Sequence, residues 1–212
     1  VGIRSRVNSH GLPLFPTFVK VLGIVLTKRS NGAASEMDLA GFPHHSLDTY
    51  LPKLVRAGYR VAICDQLEDP KLTKTIVKRG VTELVTPGVS YNDKILESNE
   101  SNYLASLYHN DGSWGIAFLD ISTGDFRCTE GELPLIQKMI ASFRPKEYVF
   151  SKAQSKRISE HFGQFKSQQL LEDWVYQYAY AEERLQKQFK TQNLKGFGIQ
   201  SLEAAIIASA GA

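Results

Sequence analysis

Cysteine is scarce in this sequence, since Cys64 and Cys128 are the only two among 212 residues, and each lies in a strand-like run. Because a disulfide framework needs several paired cysteines, two distant ones indicate reduced thiols in a cytoplasmic protein. Long apolar runs are also missing, and runs such as "VYQYAYA" fall well short of the ~20 residues of a membrane span. The opening "VGIRSRVNSHG" has no apolar core of signal-peptide length. We therefore expect no membrane partner.

Sequence motifs for nucleotide binding and nucleophilic catalysis are missing as well. Neither "GxxxxGK[ST]" nor a "GxGxxG" after a strand occurs, and the serines and histidines fit no nucleophile-elbow pattern. We therefore expect no catalytic residue and no cofactor in this chain.

Acidic residues are unevenly distributed. Residues 1–95 hold 13 Lys and Arg against 8 Asp and Glu, whereas residues 96–212 hold 12 against 14. The first 35 residues contain no acid and five basic residues, Arg4, Arg6, Lys20, Lys28 and Arg29. A basic N-terminal half predicts a polyanionic partner on that side.

The first 95 residues show strand and helix patterns in alternation. Residues 1–20 have no period, and residues 20–29, "KVLGIVLTKR", have the β-branched composition of a strand. Ser46 is the predicted N-cap of a helix that Gly58 ends, with apolar residues at helical spacing. "YRVAIC" then predicts a buried strand, as in half of an α/β crossover, and "IVKRGVTELVTPGV" predicts another strand with a tight "TPG" turn.

Residues 88–101 are polar and aperiodic, so a domain boundary is predicted near Leu96. Beyond it, residues 102–130 alternate like a three-stranded antiparallel meander with turns at "NDGS" and "STGD". Leu104, Ile116, Phe118 and Ile121 are expected to form its apolar face, covered by helices near 135–143 and 179–189. "KEYVFS" and "KSQQLL" predict strands, and "SKRISEHFG" and "SLEAAIIASAGA" predict helices. This is the element order of an RNase H-like domain.

The stretch "VAICDQLEDP" groups Cys64 with Asp65, Glu68 and Asp69. A zinc site would need paired Cys or His ligands, and no second cysteine is near. Oxygen-ligand cations could use the carboxylates if these converged. We favour the simpler interpretation, a strand end that continues into a polar loop.

"FPHH" places His44 and His45 directly before the predicted helix. Adjacent histidines on a strand point apart and rarely share a metal, but at a helix N-terminus they could contact a phosphate. The alternative is an exposed capping loop without a ligand.

Asp120 in "FLDIST" raises the alternative of an Mg²⁺-dependent nuclease, because RNase H-like nucleases bind the ion with an Asp in mid-strand and further carboxylates. Asp125 lies across a turn, and the helices offer no third inward carboxylate. A non-catalytic Asp120 is therefore favoured.

Several blocks resemble the MutS family of DNA mismatch-recognition ATPases: "VLGIVLTKR", "LAGFPHHSLDTYLPKLVRAGYRVAICDQLEDP", "VKRGVTELVTPGV", "NYLAS", "GIAFLDISTGDF" and "NLKGFGI". Their order and spacing match too, over about residues 21–212. The resemblance implies a mixed α/β mismatch-recognition domain over residues 1–95 and an RNase H-like, non-nuclease connector domain over residues 96–212. It implies double-stranded DNA as a partner, contacted by Lys28, Arg29, His44 and His45. It also implies MutL as a partner of the connector and no metal site in the acidic stretch.

Two departures from the family pattern follow. The family's Phe-x-Glu wedge has no counterpart here, because Thr17 follows Phe15 and Lys20 follows Phe18 at the glutamate position. The first 20 residues are therefore divergent. The sequence ends inside the expected last helix, so the clamp, lever and ATPase domains, with the ATP, Mg²⁺ and homodimer of the full-length family, are not expected here. A structural fragment without any retained binding is the second alternative.

Overall fold

A computed structural model of the chain describes residues 14–30, 36–69, 76–89 and 101–212, and the side chains of 14–17, 29–30 and 36–39 lie outside that description. The described backbone forms two compact units, one ending at Val85 and one beginning at Thr86. Both helices and strands are present, which confirms the mixed α/β class. The predicted boundary near Leu96 lies outside the described residues and stays a prediction. Within the described ranges, no helix combines the length and the apolar character needed to cross a bilayer.

The first unit combines helices with two small antiparallel sheets, in which β1 pairs with β2 and β3 pairs with β4. Its elements are α1 (Leu14–Leu22), β1 (Thr27–Ser30), β2 (Glu36–Leu39), α2 (Leu47–Arg56), β3 (Val61–Gln66) and β4 (Arg79–Val85).

The prediction of a strand over residues 20–29 is wrong for residues 20–26. The prediction of irregular structure over residues 1–20 is wrong for residues 14–20, and residues 1–13 lie outside the described residues. Residues 14–22 are helical, and the strand begins only at Thr27. Phe18, Val21 and Leu22 recur at helical spacing and pack with Leu54 of α2. This burial overrides the strand propensity of the β-branched residues. Gly23 ends the helix at φ +67°.

The predicted helix after the histidines is confirmed as α2. Its C-terminus forms two hydrogen bonds, from Gly58 N–H to the carbonyl of Val55 (2.8 Å) and from Tyr59 N–H to that of Leu54 (3.1 Å). Gly58 adopts φ +92°, the left-handed conformation that this cap requires. Ser46 occupies the N-cap position, but its side chain makes no capping hydrogen bond. A 3-10 turn over His44–Ser46 leads into the helix instead.

The strand after Gly58 does not belong to an α/β crossover. β3 pairs antiparallel with β4, with an irregular register between Ile63 and Cys64. Its residues alternate between half-buried and exposed, so the prediction of a buried strand is also wrong. Only one face of this ribbon meets α2, through Val61, Ile63 and Val85.

The second unit contains a five-stranded sheet in the order β7-β6-β5-β8-β9. β5, β6 and β7 form the predicted antiparallel meander. β8 pairs parallel with β5, and β9 pairs parallel with β8. Its elements are β5 (Leu104–Asn110), β6 (Ser113–Asp120), β7 (Asp125–Gly131), α3 (Leu133–Phe143), β8 (Glu147–Ser151), α4 (Ser155–Phe162), β9 (Gln168–Leu171), α5 (Tyr178–Phe189) and α6 (Glu203–Ser209).

One face of this sheet carries the larger apolar core. It contains Ile116 and Phe118 of β6, Ile136 of α3 and Ile158 of α4. The other members are Tyr103, Ala105, Leu107, Trp114 and Phe150. Leu104 is buried on the opposite face, because it precedes Ala105 on the same strand and side chains alternate. The predicted face was therefore wrong for Leu104, and Ile121 lies beyond the end of β6.

The opposite face is covered by α6. The prediction that the helix near 179–189 covers the face of Ile116 and Phe118 is wrong, because α3 and α4 pack there. Ala204–Ser209 are all buried. Outside α6, α5 contributes Ala181 and Leu185 to a second cluster with Ile206 and Ala210. Both sheet faces are thus buried, as in other α/β layer folds.

Close approach of α6 to β6 depends on Gly115. A Cβ added there would overlap the carbonyl oxygen of Ala204. The Glu130 carboxylate of β7 accepts a hydrogen bond from the Ala205 N–H (3.1 Å), which satisfies one of the unpaired amides in the first turn of α6. The helix is thereby fixed to the sheet at both points.

Replacing Gly115 with alanine is expected to destabilise the second unit by about 3 kcal/mol, because the new methyl group meets helix backbone rather than a flexible side chain. Urea denaturation followed by circular dichroism measures this loss. The matched control is Gly196→Ala, where an added Cβ meets nothing within 4 Å. Equal stability of the two variants would contradict the close packing of α6.

Candidate nucleic-acid interface

The two candidate histidines lie on one exposed turn of the first unit. His44 and His45 begin the 3-10 turn after Pro43, and neither is buried. The Ser46 N–H closes the turn on the carbonyl of Pro43 (2.9 Å). His44 Nε2 lies 3.9 Å from Asp65 Oδ1, which is too long for a hydrogen bond. Both imidazoles therefore face solvent close to the N-terminus of α2.

Lys28 and Arg29 lie on a separate element, β1. Lys28 is exposed, and its Cα is paired with that of Asp38 on β2. Arg29 is paired with Met37 in the same register, and its side chain lies outside the described residues. The structure thus places His44 and His45 together and Lys28 and Arg29 together, on two elements of one unit.

The acidic stretch of the first unit is engaged in contacts within the β3–β4 ribbon. Asp65 Oδ2 accepts a hydrogen bond from Thr82 Oγ1 (2.9 Å), and Glu68 pairs with Lys78 (3.3 Å). Cys64 is a free, exposed thiol on the same strand. Over the described ranges, no three or more His, Cys, Asp or Glu side chains group so as to hold a metal ion. These contacts favour the interpretation of this stretch as a strand end that continues into a polar loop. Pro70, the last residue of the stretch, lies outside the described residues.

Asp120 and Asp125, the carboxylates considered for a nuclease, are held by donors of the protein itself. Asp120 is buried and accepts hydrogen bonds from Asn102 N–H (3.0 Å), Ser122 N–H (3.0 Å) and Ser122 Oγ (2.6 Å). Burial pushes its pKa up, but these bonds and one from the Thr123 backbone outweigh burial and lower it. Asp125 accepts from Arg127 Nε and from Tyr103 Oη (2.6 Å), which lowers its pKa. Both groups therefore stabilise the β6–β7 turn.

Glu147 is a buried carboxylate that the sequence patterns did not indicate. Its Oε2 accepts hydrogen bonds from Thr86 Oγ1 (2.5 Å) and from the Gly88 N–H (3.0 Å). A Cβ on Gly88 would lie 2.8 Å from the Glu147 Cβ, so the contact requires glycine. The predicted "TPG" turn is thus attached to the first residue of β8, and no short-range signal connects these positions.

An exposed aromatic surface on the second unit was also missed. Phe189, at the end of α5, packs 5.0 Å from Phe197 and 5.9 Å from Phe126 between ring centroids. Phe197 keeps 52% of its surface exposed and Phe189 39%. Residues 184–202 contain four basic residues and no acid. This charge pattern is the sequence signal that could have indicated a binding surface here. We call Phe126, Phe189 and Phe197 the Phe189 surface.

The loop that presents Phe197 is held in place. Leu194 is fully buried, and its N–H donates to the Gln200 side chain (3.0 Å). Asn193 Oδ1 accepts from the Lys195 N–H (3.1 Å). The exposed ring is thus positioned in advance, which reduces the entropy lost when a partner binds.

Comparison with known families follows the same two-unit division. The family model described as MutS domain I matches residues 17–94, and the one described as MutS domain II matches residues 102–212.

Individual relatives agree with these matches. The chain is 57% identical over 190 residues to the DNA mismatch repair protein MutS of Parabacteroides distasonis, which covers 90% of this chain and 22% of that protein. It is 56% identical over 193 residues to the protein of the same name from Cytophaga hutchinsonii, covering 91% and 22%. For Flavobacterium psychrophilum the identity is 57% over 190 residues, covering 90% and 22%. The chain therefore spans about a fifth of the length of these curated relatives.

The role of Asp120 gives a pH-dependent prediction. Because its pKa is lowered in the folded state, the stabilisation is present above the unfolded pKa and is lost as pH falls through the folded value. Asp120→Asn is expected to cost about 1.5–3 kcal/mol at pH 7 and progressively less in acid, since hydrogen bonds to a charged group are lost. Urea denaturation at several pH values measures the difference. Asp111→Asn, on an exposed hairpin turn, is the control. A pH-independent loss would contradict the assigned role.

Proposed function

The chain belongs to the MutS family of DNA mismatch repair proteins, and on this premise we propose that it is a binding module that contacts duplex DNA with its first unit and a protein partner with its second. The observation that carries the proposal is the domain I match over residues 17–94, which includes the exposed His44–His45 turn and the Lys28–Arg29 strand. We assign no catalytic step and no cofactor to these residues. The two-domain division, at residues 1–95 and 96–212, is part of the same proposal.

DNA contact in this proposal is made through phosphates. Lys28, and Arg29 beside it, supply cationic donors, while His44 and His45 supply ring N–H groups beside the first turn of α2, whose backbone amides also favour an anion. Asp65 lies next to His44 and limits the local positive charge. Such contacts give affinity without information on sequence, so the proposed binding has no preference for a mismatch.

The proposed partner of the second unit is MutL, which the family resemblance implies, and the Phe189 surface supports this role. A partner surface is typically an apolar, aromatic centre within a polar border. Here two exposed phenyl rings lie within a stretch whose charges are Arg184, Lys187, Lys190 and Lys195. This chemistry suits a partner segment that carries carboxylates around an apolar side chain.

An Mg²⁺-dependent nuclease is the weaker alternative. Asp120 and Asp125 already accept hydrogen bonds from the protein, and a metal ion would have to displace Ser122 and Arg127 as their partners.

DNA binding is tested by titrating the chain with a matched duplex and with a G·T-mismatched duplex at two salt concentrations. We expect equal affinities for both, with a dissociation constant of about 10⁻⁴–10⁻⁶ M. Lys28→Ala or Arg29→Ala should weaken binding to both duplexes and reduce the slope of log K against log salt by about one. Lys166→Ala, an exposed charge of the second unit, is the control. If Lys166→Ala weakens binding as much as the other two, the site is misplaced, and a clear G·T preference would refute phosphate-only contact.

Partner binding is tested with Phe197→Ser in a titration against a bacterial MutL N-terminal domain. The expected result is at least a tenfold loss of affinity, about 1.4 kcal/mol, because a centrally placed aromatic ring dominates such interfaces. Leu170→Ser removes an apolar side chain of similar exposure, 40%, from the edge strand β9 and serves as the control. Thermal melts establish that both variants fold. Unchanged affinity in Phe197→Ser, or equal losses in both, would exclude the Phe189 surface.

A further inference from the structure

A cluster of basic and aromatic side chains lies where β5, β6 and α4 meet. His109, near the end of β5, packs against Trp114 of β6 with ring centroids 4.4 Å apart, and His161 of α4 approaches the same indole at 5.3 Å. Arg157, one turn before His161, lies 2.8 Å from His109 Nδ1 through Nη1. We call His109, Trp114, Arg157 and His161 the His109 cluster.

The imidazole of His109 is held in a defined position. The Gln154 side chain accepts a hydrogen bond from the His109 N–H (2.9 Å) and donates one to the His109 carbonyl (2.7 Å). A guanidinium group can only donate, so the contact with Arg157 makes Nδ1 the acceptor. In the neutral ring the proton therefore sits on Nε2, which leaves His109 with a ring N–H donor.

Basic side chains are concentrated in this cluster. Arg157 and His161 are four residues apart on α4, so they share a face. Asp111 in the hairpin turn and Glu160 on α4 are the nearby acids, and within the described residues neither forms an ion pair with Arg157. Burial first, then Arg157 and His161, lower the pKa of His109, while Asp111 opposes them.

Arg157 is exposed, and its guanidinium carries more N–H donors than its contact with His109 uses, so it keeps the capacity to bind an anion. Both imidazoles pack against Trp114, and the Nδ1 contact places that of His109 beside the guanidinium. An oxyanion with several oxygens could accept hydrogen bonds from the Arg157 guanidinium and from a ring N–H of each imidazole.

We propose that the His109 cluster is a binding site for a phosphate-type oxyanion, recognised by the Arg157 guanidinium together with the two imidazoles. The site is separate from the histidine turn of the first unit and does not depend on the function proposed above. Two sources share the chemistry: the phosphodiester of a nucleic acid backbone, and free phosphate or a phosphomonoester.

The site is tested by measuring the pKa of His109 by NMR, first in chloride and then in inorganic phosphate at the same ionic strength, on the whole chain. A bound anion stabilises the imidazolium form, so phosphate should raise the pKa of His109 by about one unit. A second titration, with a short DNA duplex in place of phosphate, distinguishes the sources. A shift with the duplex identifies a phosphodiester ligand, and a shift with phosphate alone identifies free phosphate or a monoester.

The decisive variant is Arg157→Gln, in which the phosphate-induced shift should disappear. Only the induced change is compared, because removing the arginine charge alters the pKa of His109 directly. Lys156→Gln removes the same charge from the neighbouring exposed position and should keep the shift. Absence of any shift in the unmodified chain with both ligands, or an equal shift in Arg157→Gln, would overturn the proposal.

Discussion

Contact between α6 and β6 at Gly115 is the constraint on which the second unit depends. Without a side chain at Gly115, the backbone of the helix lies directly on the sheet, and Ala204–Ser209 become buried. The small residues of this helix are needed for the same reason, since larger side chains would hold it away. Because α3 and α4 cover the other face, the central strands are buried on both sides. α5 then packs outside α6 and takes its position, and that of Phe189 at its end, from this helix.

This packing explains why acidic groups of the second unit serve structure. Asp120 and Asp125 hold the β6–β7 turn, Glu130 caps α6, and Glu147 fixes Thr86 and Gly88. A carboxylate that already accepts several hydrogen bonds in a packed layer is poorly placed to take a metal ion. The side chains that remain exposed, such as Phe197 and Arg157, are suited to binding.

Local patterns were enough to predict much of the fold. The meander, the helices around it and the Gly58 helix end follow from alternation, helical spacing and turn chemistry, which act over a few residues. The errors arise where distant burial decides. Phe18 and Leu22 are helical because they pack on α2, and α6 lies on the sheet because Gly115 allows it. The His109 cluster joins residues 48 positions apart, so no spacing in the sequence indicates it. The proposed phosphate contact of His44 rests on its place before the predicted helix as well as on the family resemblance, whereas that of Lys28 rests on the resemblance and on the basic character of the N-terminal half.

Native-state amide hydrogen exchange on the whole chain tests the central constraint most directly, because it reports the stability of each element separately. If α6 anchors the second unit, its amides should exchange as slowly as those of β5 and β6, at the rate of global unfolding. The ribbon of β3 and β4, whose residues are mostly half-buried or exposed, should exchange faster. Rapid exchange throughout α6, with slow exchange retained in β5 and β6, would show that the sheet is stable without the helix and would contradict this account.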